Sequence, residues 1–472
     1  MSQQQSTLGE SANSRPNILM IVADQHRWDC VGTNGHPFLK TPHLDALAAS
    51  GVNFSNAFTS SPICVPARHS LLHGCWPCRH HVIANGGTEA PCAPPVDLPS
   101  FPMALRDAGY HLSFVGKWID GAAQTPTEYG FHQWIKDSDY AKWRAAQGLP
   151  PRPKGMPFYG FDEGITPEQS HLAWGADRTI ELLKDGMKSG SPFLVRWDPS
   201  EPHLPNVVPQ PYADMYPPSM IPPWKSFGDT FKGKPYIQAQ QLRSWGLDGW
   251  TWDQWAPLLG RYLGELSLLD AQVGRVLQAL EDLNLADNTI VIYTCDHGDT
   301  CGAHGMIDKH YIMYDDVEHV PLFIRWPGVT APGTVSDAFV VHTIDLARTL
   351  CEMAGTNVPE TFQGVSMLPI LKGTGGNGRD CVQAMYSGNQ FGLFTQRMIR
   401  DAHWKYVWNA TAEDELYNLD DDPAELVNLA TDPECAERLA GFRSRLFDWM
   451  VEIGDAYNNG WIRRQLLENK KV

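Results

Sequence analysis

The feature that most constrains the fold is a pair of continuous apolar runs, each followed by an aspartate. Asn17–Ala23 reads NILMIVA directly before Asp24, and the run TIVIYT over 289–294 ends two residues before Asp296. Uninterrupted apolar runs of this length are typical of strands buried on both faces of a parallel sheet. The carboxyl ends of parallel strands meet at one sheet edge, where ligands bind. We therefore expect Asp24 and Asp296 to lie close together.

Helical patterns alternate with the strand-like runs along the chain. We predict helices over 44–49, 102–108, 166–187 and 256–283, and further strands over 112–115, 192–197 and 320–326. The longest helix rests on an apolar stripe with spacings of three and four residues between Tyr262 and Leu280. This alternation predicts an α/β fold whose largely parallel central sheet is covered by helices on both faces.

The domain organisation follows from two changes of pattern. Beyond about residue 376 we predict short strands over 398–408 and 415–419 and one helix over 436–450. The predicted units are a disordered tail (1–15), a catalytic α/β domain (16–375) and a small C-terminal α+β subdomain (376–472). The proline-rich stretch 205–223 is expected to be a surface excursion. The tryptophans of the stretch 245–255 are expected either to pack against that excursion or to stack on an aryl or sugar substrate.

Charge and hydropathy exclude several classes of partner. The chain carries 37 Lys plus Arg and 54 Asp plus Glu, a net charge of −17, which argues against a nucleic-acid binder because phosphate contacts need basic surface. No apolar run reaches the length of a membrane span, so we expect no membrane partner. The polar stretch 1–15 lacks the apolar segment of a secretory signal, which predicts a cytoplasmic protein whose 10 cysteines stay mostly reduced. A homo-oligomer is left open.

The segment with the most specific chemistry begins at Cys64. In CVPAR (64–68) the proline suits the first turn of a short helix that Gly74 ends, so Cys64 lies at a helix N-terminus, where an anion is favoured. The cysteine could be a buried capping thiol, or a thiolate whose pKa Arg68 lowers. The pattern Cys-x-Pro-x-Arg also resembles the sulfatase signature, in which the cysteine is oxidised to formylglycine (3-oxoalanine).

Further blocks extend that resemblance, in the family's order, from about residue 16 to 430. They are NILMIVADQHRWD (17–29), TPHLD (41–45), GKW (116–118), PHLP (202–205), DHG (296–298) and LYNL (416–419). The chain resembles the formylglycine-dependent sulfatases of the alkaline phosphatase superfamily. The resemblance implies an alkaline phosphatase-like fold and hydrolysis of a small-molecule or saccharide sulfate ester to alcohol and sulfate. It also implies a formylglycine-generating maturation enzyme as partner.

Two strand ends offer the ligands of a divalent metal. Asp24, Gln25, Asp296 and His297 supply two carboxylates, an amide oxygen and an imidazole, a set that suits Ca²⁺, Mg²⁺ or Mn²⁺. The resemblance adds Cys64 to the ligands, and it puts Ca²⁺ first, with Mn²⁺ or Mg²⁺ as alternatives.

The resemblance also assigns catalytic roles. Cys64, as the formylglycine hydrate, would attack sulfur. Arg68 and Lys117 would hold the formylglycine and the sulfate oxygens. His203 and Lys309 would face the ester oxygen, with His203 as the proton donor because an imidazole titrates near neutrality.

Some positions depart from the sulfatase pattern. Ile119 stands where the family usually has a histidine after Gly-Lys-Trp. Gln25, His297 and Asn85, a candidate substrate contact, look more like the phosphonate monoester hydrolases and phosphodiesterases of the same superfamily, so that activity is the alternative. Lys117 favours a sulfatase, because those hydrolases lack a lysine there.

Other cysteines and histidines allow competing interpretations. Cys75 and Cys78 form a Cys-x-x-Cys motif that is followed by His80 and His81. The motif could be a redox pair or part of a zinc site, but we favour the interpretation that the two cysteines are thiols in a loop. His304 is a candidate substrate contact or a structural residue. A third functional hypothesis is a non-catalytic, metal-stabilised binding protein in which Cys64 is never oxidised.

Overall fold

The structure is a computed structural model that describes residues 15–85, 94–95, 97–119, 124–155, 158–309, 311–388 and 390–471. Apart from Arg15, the predicted disordered tail lies outside the described residues. The strands are β1 (Asn17–Ala23), β2 (Val52–Phe54), β3 (Ala57–Phe58), β4 (His111–Gly116), β5 (Gln133–Lys136), β6 (Tyr159–Phe161), β7 (Phe193–Asp198), β8 (Asn206–Val208), β9 (Thr289–Cys295), β10 (Leu322–Arg325), β11 (Thr334–Ser336), β12 (Val340–Val341), β13 (Val382–Gly388), β14 (Phe394–Arg400), β15 (Trp404–Asn409) and β16 (Glu415–Asn418).

The α-helices are α1 (Pro42–Ala49), α2 (Cys64–His73), α3 (Pro77–His80), α4 (Phe101–Asp107), α5 (Asp139–Ala146), α6 (His171–Lys188), α7 (Tyr236–Ser244), α8 (Trp252–Asp282), α9 (Asp315–Glu318), α10 (His342–Met353), α11 (Leu368–Leu371), α12 (Ala436–Glu452) and α13 (Gly460–Leu467). Within the described ranges, no helix combines the length and the apolar character that crossing a membrane requires.

The central sheet has eight strands in the order β11-β2-β10-β9-β1-β7-β4-β5. Strands β9, β1, β7, β4 and β5 run parallel to one another, whereas β10 is antiparallel to both of its neighbours. All seven residues of β1 are buried, which shows that helices cover both faces of the sheet at its centre. The predicted α/β fold with a largely parallel sheet is confirmed.

A second, antiparallel sheet of β13-β14-β15-β16 lies in the C-terminal part of the chain. Helix α12 packs on β14 and β15, and Trp408, Leu446 and Met450 belong to the same buried cluster. Short strands and a helix were predicted here, and the exact domain boundary at residue 375 stays a prediction.

Two element predictions were wrong in detail, and several helices were missed. The stretch 398–408 forms two strands, because the Asp401 side chain accepts hydrogen bonds from the backbone of His403 and Trp404 and closes a tight turn. The helix expected from residue 166 begins at His171, since the Ser170 hydroxyl caps it by accepting from Ala173 N–H at 3.1 Å. Among the helices of eight or more residues, α5, α7, α10 and α13 were not predicted.

The proline-rich stretch is not wholly a surface excursion. Its residues 206–208 form β8, which pairs in parallel with β6, and Val208 is fully buried. The Asn206 side chain donates a hydrogen bond of 2.7 Å to the Glu265 carboxylate on α8. The neighbouring tryptophan-rich stretch packs with Phe158 and Ile307 in one cluster, which agrees with the packing interpretation.

Candidate active site

Four neighbouring parallel strands each bring charged or polar side chains to the same edge of the sheet. Asp296 and His297 follow β9, Asp24 follows β1, Asp198 ends β7 and Lys117 follows β4. The register aligns the last residue of β1 with the last of β9, and the last of β4 with the last of β7, so the strands end level with one another. The predicted meeting of Asp24 and Asp296 is confirmed.

Gly116 allows the ends of β4 and β7 to approach closely. Its φ is +106°, and a Cβ atom there would lie 2.0 Å from the carbonyl oxygen of Asp198. The next residue, Lys117, donates its backbone N–H to that oxygen at 2.8 Å. A glycine is required at this position, because it tolerates positive φ and leaves room for the neighbouring backbone. The lysine ammonium then lies 2.7 Å from the Asp24 carboxylate.

Helix α2 begins at Cys64 and all ten of its residues are buried. The Asn85 side-chain oxygen accepts the N–H of Val65 at 3.1 Å, so Asn85 lies at the helix start beside the cysteine. Gly74 ends the helix in the left-handed conformation, with φ +58°. The helix predicted from the Cys-x-Pro-x-Arg segment is present with both ends where expected.

The Cys64 thiol faces the charged cluster. Its Sγ lies 3.1 Å from His297 Nε2 and 3.7 Å from Asp24 Oδ1. Burial raises the pKa of the thiol, and so does the Asp24 carboxylate. The cations Lys309, His297 and Lys117 outweigh both and lower that pKa to about 5. The sulfur is therefore held in surroundings that favour an anion.

Arg68, one turn along α2, binds three carboxylates at once. Its guanidinium lies 3.1 Å from Asp24, 2.6 Å from Asp198 and 2.9 Å from Asp296, and its side chain is 2% exposed. Burial lowers the pKa of Arg68, but the three carboxylates hold it well above its ordinary value. The residue expected to hold sulfate oxygens thus fixes the acidic side chains of the cluster in place.

Asp198 was not predicted as part of the site. It ends a buried strand, as Asp24 and Asp296 follow theirs, but the predicted strand stopped one residue earlier at Trp197. Besides Arg68, it binds Arg196 through two hydrogen bonds of 2.7 Å each. Asp198 directly follows the predicted strand 192–197, but Arg196 interrupts the apolar run there, so a rule based on uninterrupted apolar runs did not select it.

The cluster fits a divalent metal. Asp24, Cys64, Asp296 and His297 each offer one donor atom, these atoms lie within 4.8 Å of one another, and all four residues are buried. His297 Nδ1 lies 2.9 Å from the Gly298 carbonyl oxygen and therefore carries a proton, so loss of the proton on Nε2 would leave the Nε2 lone pair facing the cluster for a metal ion. Metal-ligating histidines typically show this arrangement.

Gln25 adjoins the four donors but is engaged elsewhere. Its amide oxygen accepts a hydrogen bond of 2.5 Å from Lys309 Nζ, and its amide nitrogen donates to Asp299. Lys309 Nζ also lies 2.7 Å from His203 Nε2 and 3.0 Å from Asp308. Gln25 thereby connects the metal-binding cluster to the pair of Lys309 and His203.

His304 is not brought to the cluster. Its ring lies 2.7 Å from Asp229 and 3.5 Å from Asp316, and it stacks on Tyr314 at 3.8 Å between ring centroids. These contacts fit the structural interpretation. Its contact with substrate stays a prediction.

The Cys-x-x-Cys motif has none of the properties of a reactive or metal site. Burial raises the pKa of Cys75 and of Cys78 to about 12, so both are neutral thiols. His80 hydrogen-bonds Ser70 at 3.0 Å, and His81 is exposed. In the described part of the chain, the one cluster with metal-ligand spacing is the cluster at Cys64.

A pocket of about 590 Å³ opens beside the cluster. Lys117, Ile119 and His203 are among its lining residues, and the side next to Lys117, whose ammonium contacts Asp24, is called its inner end. Its aromatic walls are Trp118 and Trp134, outside the tryptophan-rich stretch, so the predicted stacking residues are not those that line it.

Comparison with known proteins gives the family. The family described as Sulfatase matches residues 16–356, and the family described as N-sulphoglucosamine sulphohydrolase, C-terminal, matches residues 302–452. The chain belongs to the sulfatase family. Both the resemblance and the predicted enzyme class, a sulfuric ester hydrolase, are confirmed.

Relatives of this sulfatase match it over nearly their whole length. An uncharacterised sulfatase from Escherichia coli K12 is 29% identical over 94% of this chain and 89% of its own. An arylsulfatase from Clostridium perfringens is 27% identical over 94% of this chain and 96% of its own. The crystal structure of a phosphonate monoester hydrolase from Agrobacterium radiobacter covers 93% of this chain and 96% of its own, with 27% identity and a TM-score of 0.81. Hydrolases of both ester types therefore share this fold.

Proposed function

We propose that this sulfatase hydrolyses organic sulfate esters with a nucleophile made by oxidation of Cys64 to formylglycine. The observation that carries the proposal is the position of the Cys64 sulfur at the start of a buried helix, 3.1 Å from His297 and 3.7 Å from Asp24. When present, the formylglycine hydrate supplies the attacking hydroxyl, and the metal lowers its pKa and polarises the sulfate oxygens.

The proposed metal ligands are Asp24, Gln25, Cys64, Asp296 and His297. The two carboxylates, the amide oxygen and the sulfatase resemblance support Ca²⁺, whereas the imidazole of His297 favours the alternatives, Mn²⁺ or Mg²⁺. Arg68 neutralises the carboxylates and fixes their orientation, which keeps the ligands in place before the ion binds.

The sulfate group is bound by the cations at the inner end of the pocket. The Lys117 ammonium contacts Asp24 and the Lys309 ammonium contacts Gln25, and Lys117 lines the pocket itself. Burial lowers the pKa of both lysines, but the neighbouring carboxylates outweigh it and raise both. Both therefore stay charged over the working range of pH. Asn85 holds the start of α2 and so positions residue 64.

His203 and Lys309 together hold the proton for the leaving group. His203 Nδ1 lies 2.7 Å from the carbonyl oxygen of Leu204, which assigns the proton to Nδ1, so Nε2 accepts from the Lys309 ammonium. A proton shared between these two side chains can pass to the ester oxygen as its bond to sulfur breaks. His203 lines the pocket, where that oxygen would lie.

A phosphonate monoester or phosphodiester hydrolase is the second candidate. Gln25 and His297 favour it, since they match that branch of the superfamily, whereas Lys117 favours sulfate esters.

A saccharide or aryl sulfate suits the pocket, because Trp118 and Trp134 line it together with charged side chains. The cytoplasmic location, the maturation enzyme and a homo-oligomeric state stay predictions.

The test is a comparison of kcat/KM on 4-nitrophenyl sulfate and on a 4-nitrophenyl phosphonate monoester. The protein would be produced together with a formylglycine-generating enzyme, with Cys64→Ala as the inactive control. We expect the sulfate to be the better substrate. A higher kcat/KM on the phosphonate would make the second candidate the function, and turnover by Cys64→Ala would contradict the proposed nucleophile.

A further inference from the structure

The pocket contains two cations that the sulfate end does not use. Lys136 and Arg152 line it together with Lys117 and His203. Lys136 ends β5, and its Cα pairs with that of Gly116, the residue before Lys117. Because adjacent strands are about 5 Å apart, Lys136 lies one strand further along the same sheet edge.

Lys136 is exposed and belongs to no ion pair among the residues described here. Its ammonium lies 4.9 Å from the centroid of the Trp134 ring, which also lines the pocket. A cation over an aromatic ring at the wall of a pocket keeps its three N–H donors available to a ligand.

Arg152 is held against the pocket by two buried glutamate side chains. Its Nη2 lies 3.3 Å from Glu201 and 3.8 Å from Glu265, whose side chains are 4% and 2% exposed, whereas one third of the Arg152 side chain (33%) is exposed. Guanidinium has five N–H donors in a fixed plane, and these contacts involve one of its three nitrogens. The remaining donors suit a planar or tetrahedral oxyanion, which binds a guanidinium through two parallel hydrogen bonds.

The loop that carries Arg152 is anchored at both ends. Arg144 in α5 binds Asp162 through two hydrogen bonds of 2.6 and 2.7 Å, and both side chains are buried. β6 follows Arg152 in this loop and pairs with β8. The guanidinium is therefore positioned before any ligand arrives.

The acidic groups of this wall are already compensated. His171 lies 3.0 Å from Asp137 and 2.8 Å from Glu201. Burial lowers its pKa, but the two carboxylates outweigh burial and raise the pKa to about 10. Burial, with Glu201 close by, raises the pKa of Glu265 to about 8. At neutral pH the positive charges of His171 and Arg152 therefore compensate the negative charges of Asp137 and Glu201. The charge of Lys136 is then left as an excess positive charge at this wall.

The geometry points to Lys136 and Arg152 as a second oxyanion subsite, which binds a carboxylate or an additional sulfate carried by the substrate beside the sulfate that is removed. The subsite rests on the proposed function and narrows its substrates to sulfate esters with two anionic groups. A pocket of about 590 Å³ has room for a sugar ring between two such groups.

The test measures inhibition of 4-nitrophenyl sulfate hydrolysis by matched pairs of sugars that differ in one anionic group. N-acetylglucosamine 6-sulfate against N-sulfoglucosamine 6-sulfate tests an additional sulfate. Methyl glucoside 2-sulfate against methyl glucuronide 2-sulfate tests a carboxylate. We expect the doubly anionic member of at least one pair to have a Ki about tenfold lower, since a hydrogen-bonded charge pair contributes about 1.5 kcal/mol.

Lys136→Gln and Arg152→Lys should each make the two Ki values of that pair equal. Lys136→Gln removes the positive charge, and Arg152→Lys removes the planar guanidinium that forms two parallel hydrogen bonds. Lys142→Gln, a matched control on an exposed lysine outside the pocket lining, should leave the ratio as in the parent. Lys136→Gln removes an exposed side chain, so it tests the subsite even if the Arg152 variant is unstable.

Equal Ki values within both pairs in the parent, or a ratio that survives Lys136→Gln, would overturn the subsite. A parent protein that does not hydrolyse 4-nitrophenyl sulfate at all would instead count against the proposed function. The two failures are thus distinguishable.

Discussion

At the reacting end of the pocket, charged side chains lie at the ends of four adjacent strands. The far wall, which holds Lys136 and Arg152, is built differently. Arg152 comes from a loop, and the side chains behind it, His171 and Glu265, come from two helices. At the reacting end, the four candidate metal ligands are buried, and Arg68 lies between three carboxylates at 2.6–3.1 Å. The far wall is partly exposed, and its contacts to Arg152 are 3.3 and 3.8 Å long. We infer that the buried cluster around Arg68 performs chemistry common to all substrates, while the partly exposed wall with Lys136 and Arg152 selects among them.

The largest effect should come from removing the proposed nucleophile. Cys64→Ala should lower kcat/KM on every sulfate ester by at least about 10⁴-fold, because residue 64 is the proposed source of the attacking oxygen. The measurement is sulfate release, with thermal unfolding to show that the variant folds. Cys75→Ala, eleven residues further along, is the matched control and should keep the parent rate, since that thiol is buried and neutral. Comparable losses of kcat/KM in Cys64→Ala and Cys75→Ala would contradict the assignment of Cys64 as the nucleophile.

Loss of a metal ligand should be nearly as severe. Asp24→Ala should lower turnover by about 10³-fold or more on all substrates, because the attacking hydroxyl would no longer be acidified. It also leaves Lys117 without its carboxylate partner. Turnover would be measured against added Ca²⁺, Mn²⁺ and Mg²⁺ after chelation. Full activity in the chelated parent, or in Asp24→Ala, would contradict the metal assignment.

The leaving-group acid should have an effect that depends on the substrate. His203→Ala should slow an alkyl or sugar sulfate by about 10²–10⁴-fold, but slow 4-nitrophenyl sulfate much less, because nitrophenolate departs without a proton. Both ester types would be assayed at the same pH. An equal loss on both would show that His203 binds sulfate, and Lys309 would then be the candidate for the acid.

The smallest effect, on stability, should come from the far wall. The folded state raises the pKa of His171 from 6.5 to about 10, so its contribution is complete below pH 6.5 and is lost as the pH rises through about 10. His171→Gln should lower the free energy of unfolding by about 2 kcal/mol at pH 6 and by less at pH 10. Urea unfolding at both pH values measures this. A loss that is the same at both would show that the ring contributes packing alone.

The same comparison explains how much could be predicted from the sequence. Asp24, Asp296 and His297 were found because each follows a continuous apolar run, and parallel strands bring such positions together. Asp198 also follows a strand, but it was missed because Arg196 interrupts the apolar run before it. The sequence blocks also located Cys64 and Arg68, although the pattern could not indicate that Arg68 binds three carboxylates.

The far wall carries no comparable local signal. Arg152 and Glu201 are 49 residues apart, and His171 and Glu201 are 30 apart, so their contacts depend on tertiary packing. A single sequence cannot indicate which distant charges meet. The division of 398–408 into two strands has a different cause, because its turn uses the side chain of Asp401 in place of glycine or proline.

The most direct test of the account is mass spectrometry of the peptide that contains Cys64, from full-length protein produced together with a formylglycine-generating enzyme. The account predicts that residue 64 carries an aldehyde, that its fraction rises in proportion to the specific activity on 4-nitrophenyl sulfate, and that Cys75 and Cys78 remain thiols in the same sample. A protein that hydrolyses sulfate esters while residue 64 is entirely an unmodified cysteine would contradict it.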